Sequence, residues 1–400
     1  MSLGREFDVV LFGATGFTGA LTAEYLASHA PNGCRWALAG RSQAKLEALR
    51  SRLAEINPAC ASLELLRADV TDPVSLRAIA VRSRTVVTTV GPYVHHGEPL
   101  VAACADEGTD YLDLSGEPEF VDRMYLGHHE RAVATGARLV HCCGFDSIPA
   151  DLGAYFTVQQ LPDDVPIRVQ CYMSGSATWS GGTYHSAITA FSRVRAMASA
   201  AARRRRAEDR PADRRVHGVK GVPRFEPVVD SWVLPAPVID PQVVLRSARA
   251  LDRYGPDFSY GHYLAVRRLP TAAAILGGVG AAMVLAQVPP TRRWLLGRMD
   301  AGAGPSEERR AKSWFRARFV ADGGGRRVLT EVAGGDPGYG ETAKMLAESA
   351  LCLAFDDVPE TAGQVTPAAA MGNPLIERLR RAGMTFRVAD ERERRPASAE

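Results

Sequence analysis

Short apolar segments alternate with segments of helical apolar spacing over residues 1–151 of the sequence. Strands are predicted for FDVVLFG, CRWALAGR, SLELLRADV, TVVTTVGPY, GTDYLDLS and ARLVHCCGF, and a helix follows each of the first five. Strands that are separated by helices with short connections pair in parallel through right-handed crossovers. The sequence therefore predicts an α/β domain with a doubly wound parallel sheet over residues 1–151.

The strict alternation ends after Asp151. A strand is predicted for PIRVQCYMSG, a glycine-led helix for SGGTYHSAITAFSRVRAMASAAARR, and a polar segment rich in arginine and proline runs from about Arg203 to Pro241. A hairpin is predicted for SWFRARFVADGGGRRVLTEVAG, with Gly323–Gly325 in its turn. We predict a second, α+β domain over residues 152–335, helices over 336–388 and a disordered tail over 389–400.

The charge balance and the cysteines exclude several classes of protein. The net charge is only +3 over 400 residues, and no aromatic residues interleave with the arginine run at 203–206, so a nucleic-acid partner is not expected. This run is interpreted as a solvated helix end, with docking of an acidic carrier protein as the alternative. The seven cysteines lack metal-type spacing and the N-terminus lacks a secretory signal, which predicts no metal site and a cytoplasmic protein.

One uncharged segment raises the question of membrane contact. Residues 271–288, TAAAILGGVGAAMVLAQV, reach the lower edge of a membrane-spanning length. Their many glycines and alanines make the hydrophobicity per residue modest. A buried or interfacial helix is the favoured prediction, and peripheral membrane contact through 271–288 is part of the interfacial alternative.

The turn after the first predicted strand has the sequence GATGFTG. Its spacing is G-x-x-G-x-x-G rather than G-x-G-x-x-G, which is a weak signal alone but indicates a dinucleotide site between a buried strand and a helix. Glycines there permit a sharp turn, close approach of a diphosphate and tight helix packing, and the helix N-terminus attracts the phosphates. The predicted cofactor contacts are Gly13, Ala14, Thr15, Gly16, Phe17, Thr18 and Gly19.

The end of the second predicted strand selects the cofactor. An NAD site usually places a carboxylate there, whereas this chain has LAGRS, in which Arg41 and Ser42 suit a 2′-phosphate. NADP is therefore predicted. Asp69 and Val70 are expected beside the adenine, because they end the third strand. The segment that ends the fourth strand is expected beside the nicotinamide, and its residues are Thr89, Val90, Gly91 and Pro92.

Six segments together resemble the saccharopine dehydrogenase-like oxidoreductases, and within them the trans-acting enoyl reductases of actinobacterial polyketide lipid synthesis. They are GATGFTG, LAGRS, TTVGPYVHHGEPLVAACADEGTDYLDLSGE, CGFDSIPADLG, PGYGETAKMLAESAL and TPAAAMGNPLIERLRRAGMTF. The resemblance implies a Rossmann-type domain, a second α+β domain and C-terminal helices that pack back on the first. It also implies NADPH-dependent reduction of an enoyl thioester carried by a polyketide synthase that lacks an active reductase domain. The arginine-rich segment up to Pro241 matches none of these motifs.

Reduction of an enoyl thioester needs a hydride at the β-carbon, stabilisation of the enolate oxygen and a proton for the α-carbon. Tyr93 and Tyr111 are the candidate catalytic residues, because a phenol is neutral at pH 7 and donates; Asp113 and Glu117 could orient them. The substrate contacts predicted here are Asp146, Ser147, Ser180, Gly181, Gly182 and Thr183. Capping of the helix that follows is the structural alternative for Asp146 and Ser147 and for residues 180–183. Packing under the seam between the domains is the alternative for Tyr93.

Two other functions stay open at this point. One is carbon–nitrogen chemistry on an imine, as in saccharopine enzymes, which would require several pocket arginines to bind free carboxylates. The other is a non-catalytic, lipid-associated protein that binds NADPH without turnover. Oxidation of NADPH by an enoyl thioester, by an imine or by neither distinguishes the three.

Overall fold

A computed structural model describes residues 4–176, 181–298 and 306–393. The strands are β1 (Phe7–Phe12), β2 (Trp36–Gly40), β3 (Glu64–Arg67), β4 (Ser83–Thr88), β5 (Asp110–Asp113), β6 (Arg138–Val140), β7 (Ile167–Ser176), β8 (Arg215–Gly218), β9 (Arg224–Glu226), β10 (Ser231–Pro235), β11 (Asp257–Val266), β12 (Trp314–Gly323), β13 (Arg326–Gly334), β14 (Gly363–Val365) and β15 (Thr385–Glu393). The helices are α1 (Phe17–His29), α2 (Gln43–Ile56), α3 (Pro73–Arg82), α4 (Tyr93–His96), α5 (Glu98–Glu107), α6 (Pro118–Thr135), α7 (Ile148–Val158), α8 (Gly181–Ser192), α9 (Val194–Ala207), α10 (Asp240–Ala250), α11 (Leu269–Gln287), α12 (Pro289–Leu296), α13 (Glu307–Ala311), α14 (Gly340–Phe355) and α15 (Pro367–Arg381).

The first sheet is parallel and has seven strands in the order β14-β6-β5-β4-β1-β2-β3. All six residues of β1 are buried, as expected for a strand covered by helices on both faces. The helix predicted to open at Asp72 does so, because the Asp72 carboxylate accepts from the N–H groups of Val74 and Ser75 while Pro73 occupies the first turn. The prediction of a doubly wound parallel sheet is confirmed.

The second sheet is mixed and has eight strands. Its order is β15-β13-β12-β7-β11-β10-β9, and β8 pairs with β11 outside this path. The predicted hairpin is confirmed, since β12 and β13 pair antiparallel with Gly323 opposite Arg326. The arginine- and proline-rich segment contributes β8, β9 and β10, which its composition did not predict. Strand β11, outside the segment, supplies the pairing of β8 and β10, and β9 pairs with β10.

The C-terminal part of the chain contributes to both sheets. Helix α14 is buried along most of its length and packs on α1, β1, β4 and β5, and β14 extends the first sheet beyond β6. The prediction of disorder from residue 389 is wrong for 389–393, because β15 pairs with β13 as far as Glu393. Charged side chains are compatible with this edge strand, where only backbone pairing is needed.

Helix α11 covers most of the uncharged segment 271–288. Only 11% of its apolar window is buried, so of the two predicted alternatives burial in the core is wrong, and an interfacial helix stays a prediction. By length and composition it is the one helix among the described residues that could cross a membrane. One face packs on α8 and β10, and the opposite face is exposed.

Candidate cofactor site and active-site cleft

The glycine turn between β1 and α1 is built for close approach. Gly13 has φ +83°, and a Cβ there would lie 2.6 Å from Val90 Cγ2, while a Cβ at Gly19 would lie 2.2 Å from the Gly13 carbonyl oxygen. These two glycines therefore allow the turn and the packing of the helix. A Cβ at Gly16 would meet only the Gly13 oxygen, at 3.4 Å, so Gly16 leaves space above the first turn of α1.

The start of α1 lacks side-chain capping. Gly16 is its N-cap residue, no side chain accepts from the first turn, and this turn contains no acidic residue. Gly16 and Phe17 are exposed, so the free N–H groups and the positive end of the helix dipole face outward. A diphosphate fits this cradle, with Ala14 to Gly19 along its rim.

The segment after β4 lies against the glycine turn. The Thr89 hydroxyl donates to the Gly13 carbonyl oxygen at 3.1 Å, and the Thr89 N–H donates to the Phe12 oxygen. Gly91 and Pro92 continue along the carboxyl edge of the sheet and are partly or fully exposed. The structure thus brings together the residues that the sequence assigns to the diphosphate and to the nicotinamide.

The predicted adenosine side is open to solvent. Arg41 is exposed directly after β2, and Ser42 is the N-cap residue of α2, where its hydroxyl accepts from the Lys45 N–H at 3.4 Å. Hydrogen bonds from Thr71 hold the pKa of Asp69 below its usual value, with a smaller contribution from the charge of Arg41. Val70, next to Asp69, packs on the core below.

The two candidate tyrosines lie in the core with their hydroxyl hydrogens already donated. Tyr93 donates to the Thr88 carbonyl oxygen at 3.1 Å and accepts from the Leu114 N–H, and Tyr111 donates to Asp113 Oδ2 at 3.0 Å. Burial and the charge of Asp113 raise the pKa of both phenols well above the usual value. This geometry argues against either tyrosine as the proton donor to a substrate.

Asp113 is the centre of a buried hydrogen-bond network. Its carboxylate accepts from Tyr111, from the N–H groups of Ser115 and Cys142, and from His141 Nδ1 at 2.6 Å. His141 Nε2 is buried without a partner in the described part of the chain. The sequence analysis missed His141, although its position directly after β6 was a usable signal, because ligands bind at the carboxyl ends of such strands.

Glu117 connects the cleft to the second part of the molecule. It accepts from the N–H groups of Tyr93 and Val94 at 3.0 and 2.8 Å, and from the Ser186 hydroxyl of α8 at 3.1 Å. Burial raises the pKa of Glu117. Glu117 was expected to orient a candidate tyrosine, but it instead orients the backbone after β4. Its bond to Ser186 ties α8 to this segment.

The start of α8 includes the residues predicted to contact the thioester. Ser180 lies outside the described residues, and Gly181, Gly182 and Thr183 form the first turn of α8. The predicted role of these residues in binding substrate stays a prediction.

Two aspartates outside the Asp113 network have raised pKa values. Asp146 follows β6 and lies over Gly116, where a Cβ would come within 2.8 Å of Asp146 Oδ2. Asp240 begins α10, which packs on α7. Burial raises the pKa of Asp146, and burial together with the charge of Asp146 raises the pKa of Asp240 well above its usual value. Asp146 is partly exposed whereas Asp240 is buried.

Ser147 does not cap α7 through its side chain. It occupies the N-cap position, but its hydroxyl is buried and has no hydrogen-bond partner among the described residues. The capping alternative for this hydroxyl is therefore wrong. A buried polar atom without a partner is costly, which makes it a candidate contact for a bound group.

The comparisons with known proteins cover almost the whole chain. Residues 9–140 match the saccharopine dehydrogenase NADP binding domain. A protein of Mycobacterium tuberculosis H37Rv, named as a trans-acting enoyl reductase, is 39% identical over 96% of this chain and 98% of its own length. The chain belongs to the trans-acting enoyl reductase family. A second member, from Mycobacterium ulcerans, is 35% identical over 96% of this chain and 98% of its own length.

The fold of this family member is also that of a solved structure. Saccharopine dehydrogenase (L-Glu forming) from Saccharomyces cerevisiae covers 96% of this chain and 99% of its own, with a TM-score of 0.54 at 12% identity. The prediction of an NADP-dependent oxidoreductase with a Rossmann-type domain is confirmed, and the cofactor is NADP(H).

Arg41 is predicted to contact the 2′-phosphate of NADPH, and its removal tests this prediction. We expect Arg41→Ala to weaken NADPH binding by about 10–100-fold, since a charge-assisted hydrogen bond contributes about 1.5–3 kcal/mol, and to leave NADH binding unchanged. Arg67→Ala is the matched control, because Arg67 is also exposed beside Asp69 but ends β3. Titration of each variant with both nucleotides measures the effect, and equal losses for NADPH and NADH would contradict the assignment.

Proposed function

We propose that this protein uses NADPH to reduce the carbon–carbon double bond of an acyl or polyketide thioester, presented by a carrier protein or a polyketide synthase. Support comes from full-length relatives named as trans-acting enoyl reductases, at 35–39% identity. The structural observation that carries the proposal is Asp146, a partly exposed carboxyl that follows β6 at the same sheet edge as the glycine cradle and lies over Gly116. NADPH, when bound, supplies the hydride for the β-carbon.

In this proposal, residues near the start of α8 position the thioester substrate. Glu117 accepts from the Ser186 hydroxyl of α8 and from the Tyr93 N–H after β4, which ties α8 to this segment. The first turn of α8 is the proposed contact for the thioester. Backbone N–H groups at a helix start stabilise negative charge, which suits the thioester oxygen as it becomes an enolate.

Asp146 then replaces the tyrosines as proton donor. Burial disfavours ionisation of Asp146 and raises the pKa of its carboxyl, so the protonated form persists to a higher pH than in a solvated aspartate. Asp146 gives this proton to the α-carbon as the enolate electron pair forms the new carbon–hydrogen bond, and Asp146 is left as a carboxylate. Solvent, through the exposed side of Asp146, returns the proton, while Asp240 keeps its own.

The imine alternative requires arginines that are free to bind carboxylates. Three arginines line a cleft of about 280 Å³ near His141, but each is paired: Arg204 with Asp122 and Glu208, Arg246 with Asp122, and Arg249 with Glu208. Burial and the charge of Arg246 even lower the pKa of Arg204 to about 10. These neutralised arginines favour the enoyl over the imine substrate.

A direct assay tests the proposed function. NADPH oxidation is measured with an enoyl thioester on a carrier protein, with the matching saturated thioester and with a carboxylate-bearing imine. We expect turnover with the enoyl thioester alone. Turnover with the imine would establish carbon–nitrogen chemistry instead, and NADPH binding without turnover on any substrate would indicate the non-catalytic alternative.

A further inference from the structure

Helices α11 and α12 expose a continuous apolar surface. Leu269, Leu276 and Val284 lie along one face of α11, and the exposed fraction of Val284 is 69%. Val288 and Trp294 continue this surface onto α12, where the exposed fraction of Trp294 is 54%. Soluble proteins rarely leave a contiguous apolar face of this kind in water, so the surface needs a partner.

Positive charges flank this surface at both ends. Arg267 and Arg268 precede α11, Arg292 and Arg293 lie on α12, and Arg298 stacks over Trp294 at 4.1 Å. None of the five forms an ion pair within residues 4–176, 181–298 and 306–393. The sequence contains no aspartate or glutamate between Asp257 and Asp300. An apolar stripe bordered by unpaired arginines and a tryptophan is complementary to the acyl chains and anionic headgroups of a bilayer.

The packing of α11 restricts how it meets a bilayer. One face of the helix contacts α8 and β10, and Gln287 at its end donates to the Phe191 oxygen of α8. Lipid therefore cannot surround α11 while it remains folded on α8. The helix can lie in the plane of the interface, with both arginine pairs at headgroup level.

We propose that the α11–α12 surface binds the interface of an anionic lipid bilayer, with α11 lying in the membrane plane. The face of α11 opposite to lipid packs on α8, whose Ser186 is bonded to Glu117 in the cleft. The surface thus places the cleft one helix away from the acyl region of the membrane. If the proposed function holds, an acyl substrate with a long apolar chain reaches the cleft from the bilayer side.

Vesicle flotation of the full chain tests this surface without cofactor or substrate, so its outcome is independent of the reductase assay. We expect binding to mixed phosphatidylcholine–phosphatidylglycerol vesicles, weaker binding to phosphatidylcholine alone, and release by high salt, because salt screens charges at the surface. Failure to float with the mixed vesicles would overturn the proposal. Retention after alkaline carbonate washing would also overturn it, since it would indicate a spanning helix.

Matched variants locate the contact. Val284→Glu is expected to weaken vesicle binding at least about 10-fold, because a charge replaces apolar surface in the acyl region, and Arg292→Ser about fivefold. Val74→Glu is the control, as the exposed fraction of Val74 is 79% on α3, far along the chain from α11. Equal binding by Val284→Glu and Val74→Glu would refute the assignment. A dimer in solution that Val284→Glu dissociates, without vesicle binding, would identify a second copy as the occupant and refute it too.

Discussion

Gly16→Val is expected to abolish NADPH binding and to leave the fold intact. The backbone at Gly16 has φ −74° and ψ 166°, an extended conformation that valine adopts readily, and a Cβ there meets only the Gly13 oxygen at 3.4 Å. The new side chain instead occupies the space at the start of α1 where the phosphates would bind. Loss of two charge-assisted hydrogen bonds, at about 1.5–3 kcal/mol each, weakens binding at least about 100-fold.

Titration calorimetry and thermal unfolding together measure this effect. Gly127→Val is the matched control, because Gly127 is exposed on α6 with nothing near its Cβ position, and it should bind NADPH like the unsubstituted chain. Gly19→Ala should differ from both: its Cβ would lie 2.2 Å from backbone, so we expect about 1–3 kcal/mol of lost stability. Normal NADPH affinity in Gly16→Val would mean that the cradle does not hold the diphosphate.

The cofactor half of the site was predictable because its signals are local. A buried strand, three glycines and a helix lie within residues 7–29. The two residues directly after β2, Arg41 and Ser42, include no carboxylate. The parallel sheet was equally predictable, since each strand–helix pair is contiguous in sequence. The same local reasoning predicted the β12–β13 hairpin.

The proposed proton donor was not predictable in this way, because its assignment depends on contacts between distant segments. The sequence did not show that the Tyr111 hydroxyl has a partner, but in the structure it donates to Asp113, which also bonds His141. Asp146 was predicted to contact substrate, but its raised pKa depends on the desolvation that the surrounding folded chain imposes on a side chain that stays partly exposed. Nothing in the sequence connects Asp240 with it.

The exposed face of α11 could not be predicted from the sequence for a different reason. Its apolar composition is shared by core helices and interfacial helices, and only the packing on one side by α8 and β10 distinguishes the two. Strand β15 was missed for a related reason. Its charged residues are typical of a disordered tail, and only the edge of β13, distant in sequence, makes pairing favourable.

Asp146→Asn is expected to lower kcat on the enoyl thioester by about 10²–10⁴-fold and to leave NADPH affinity unchanged. The amide has nearly the same shape as the acid but cannot give a proton to carbon. In the unsubstituted chain the protonated form of Asp146 is active, so kcat should fall as the pH rises through the raised pKa of this carboxyl.

Asp240→Asn separates this role from a structural one. Asp240 keeps its proton in this proposal, so an amide in its place has the same charge, and both kcat and the alkaline limb of its pH profile should stay close to those of the unsubstituted chain. A fall in kcat as large as that of Asp146→Asn would show that the loss comes from disturbed packing and not from the missing proton of Asp146. Tyr111→Phe distinguishes Tyr111 from Asp146 as the proton donor. If Tyr111 donates the proton, kcat should collapse in this variant. If Asp146 donates it, kcat should persist and the free energy of unfolding should fall by about 1 kcal/mol. Collapse in Tyr111→Phe, together with normal turnover in Asp146→Asn, would return the role to the phenol.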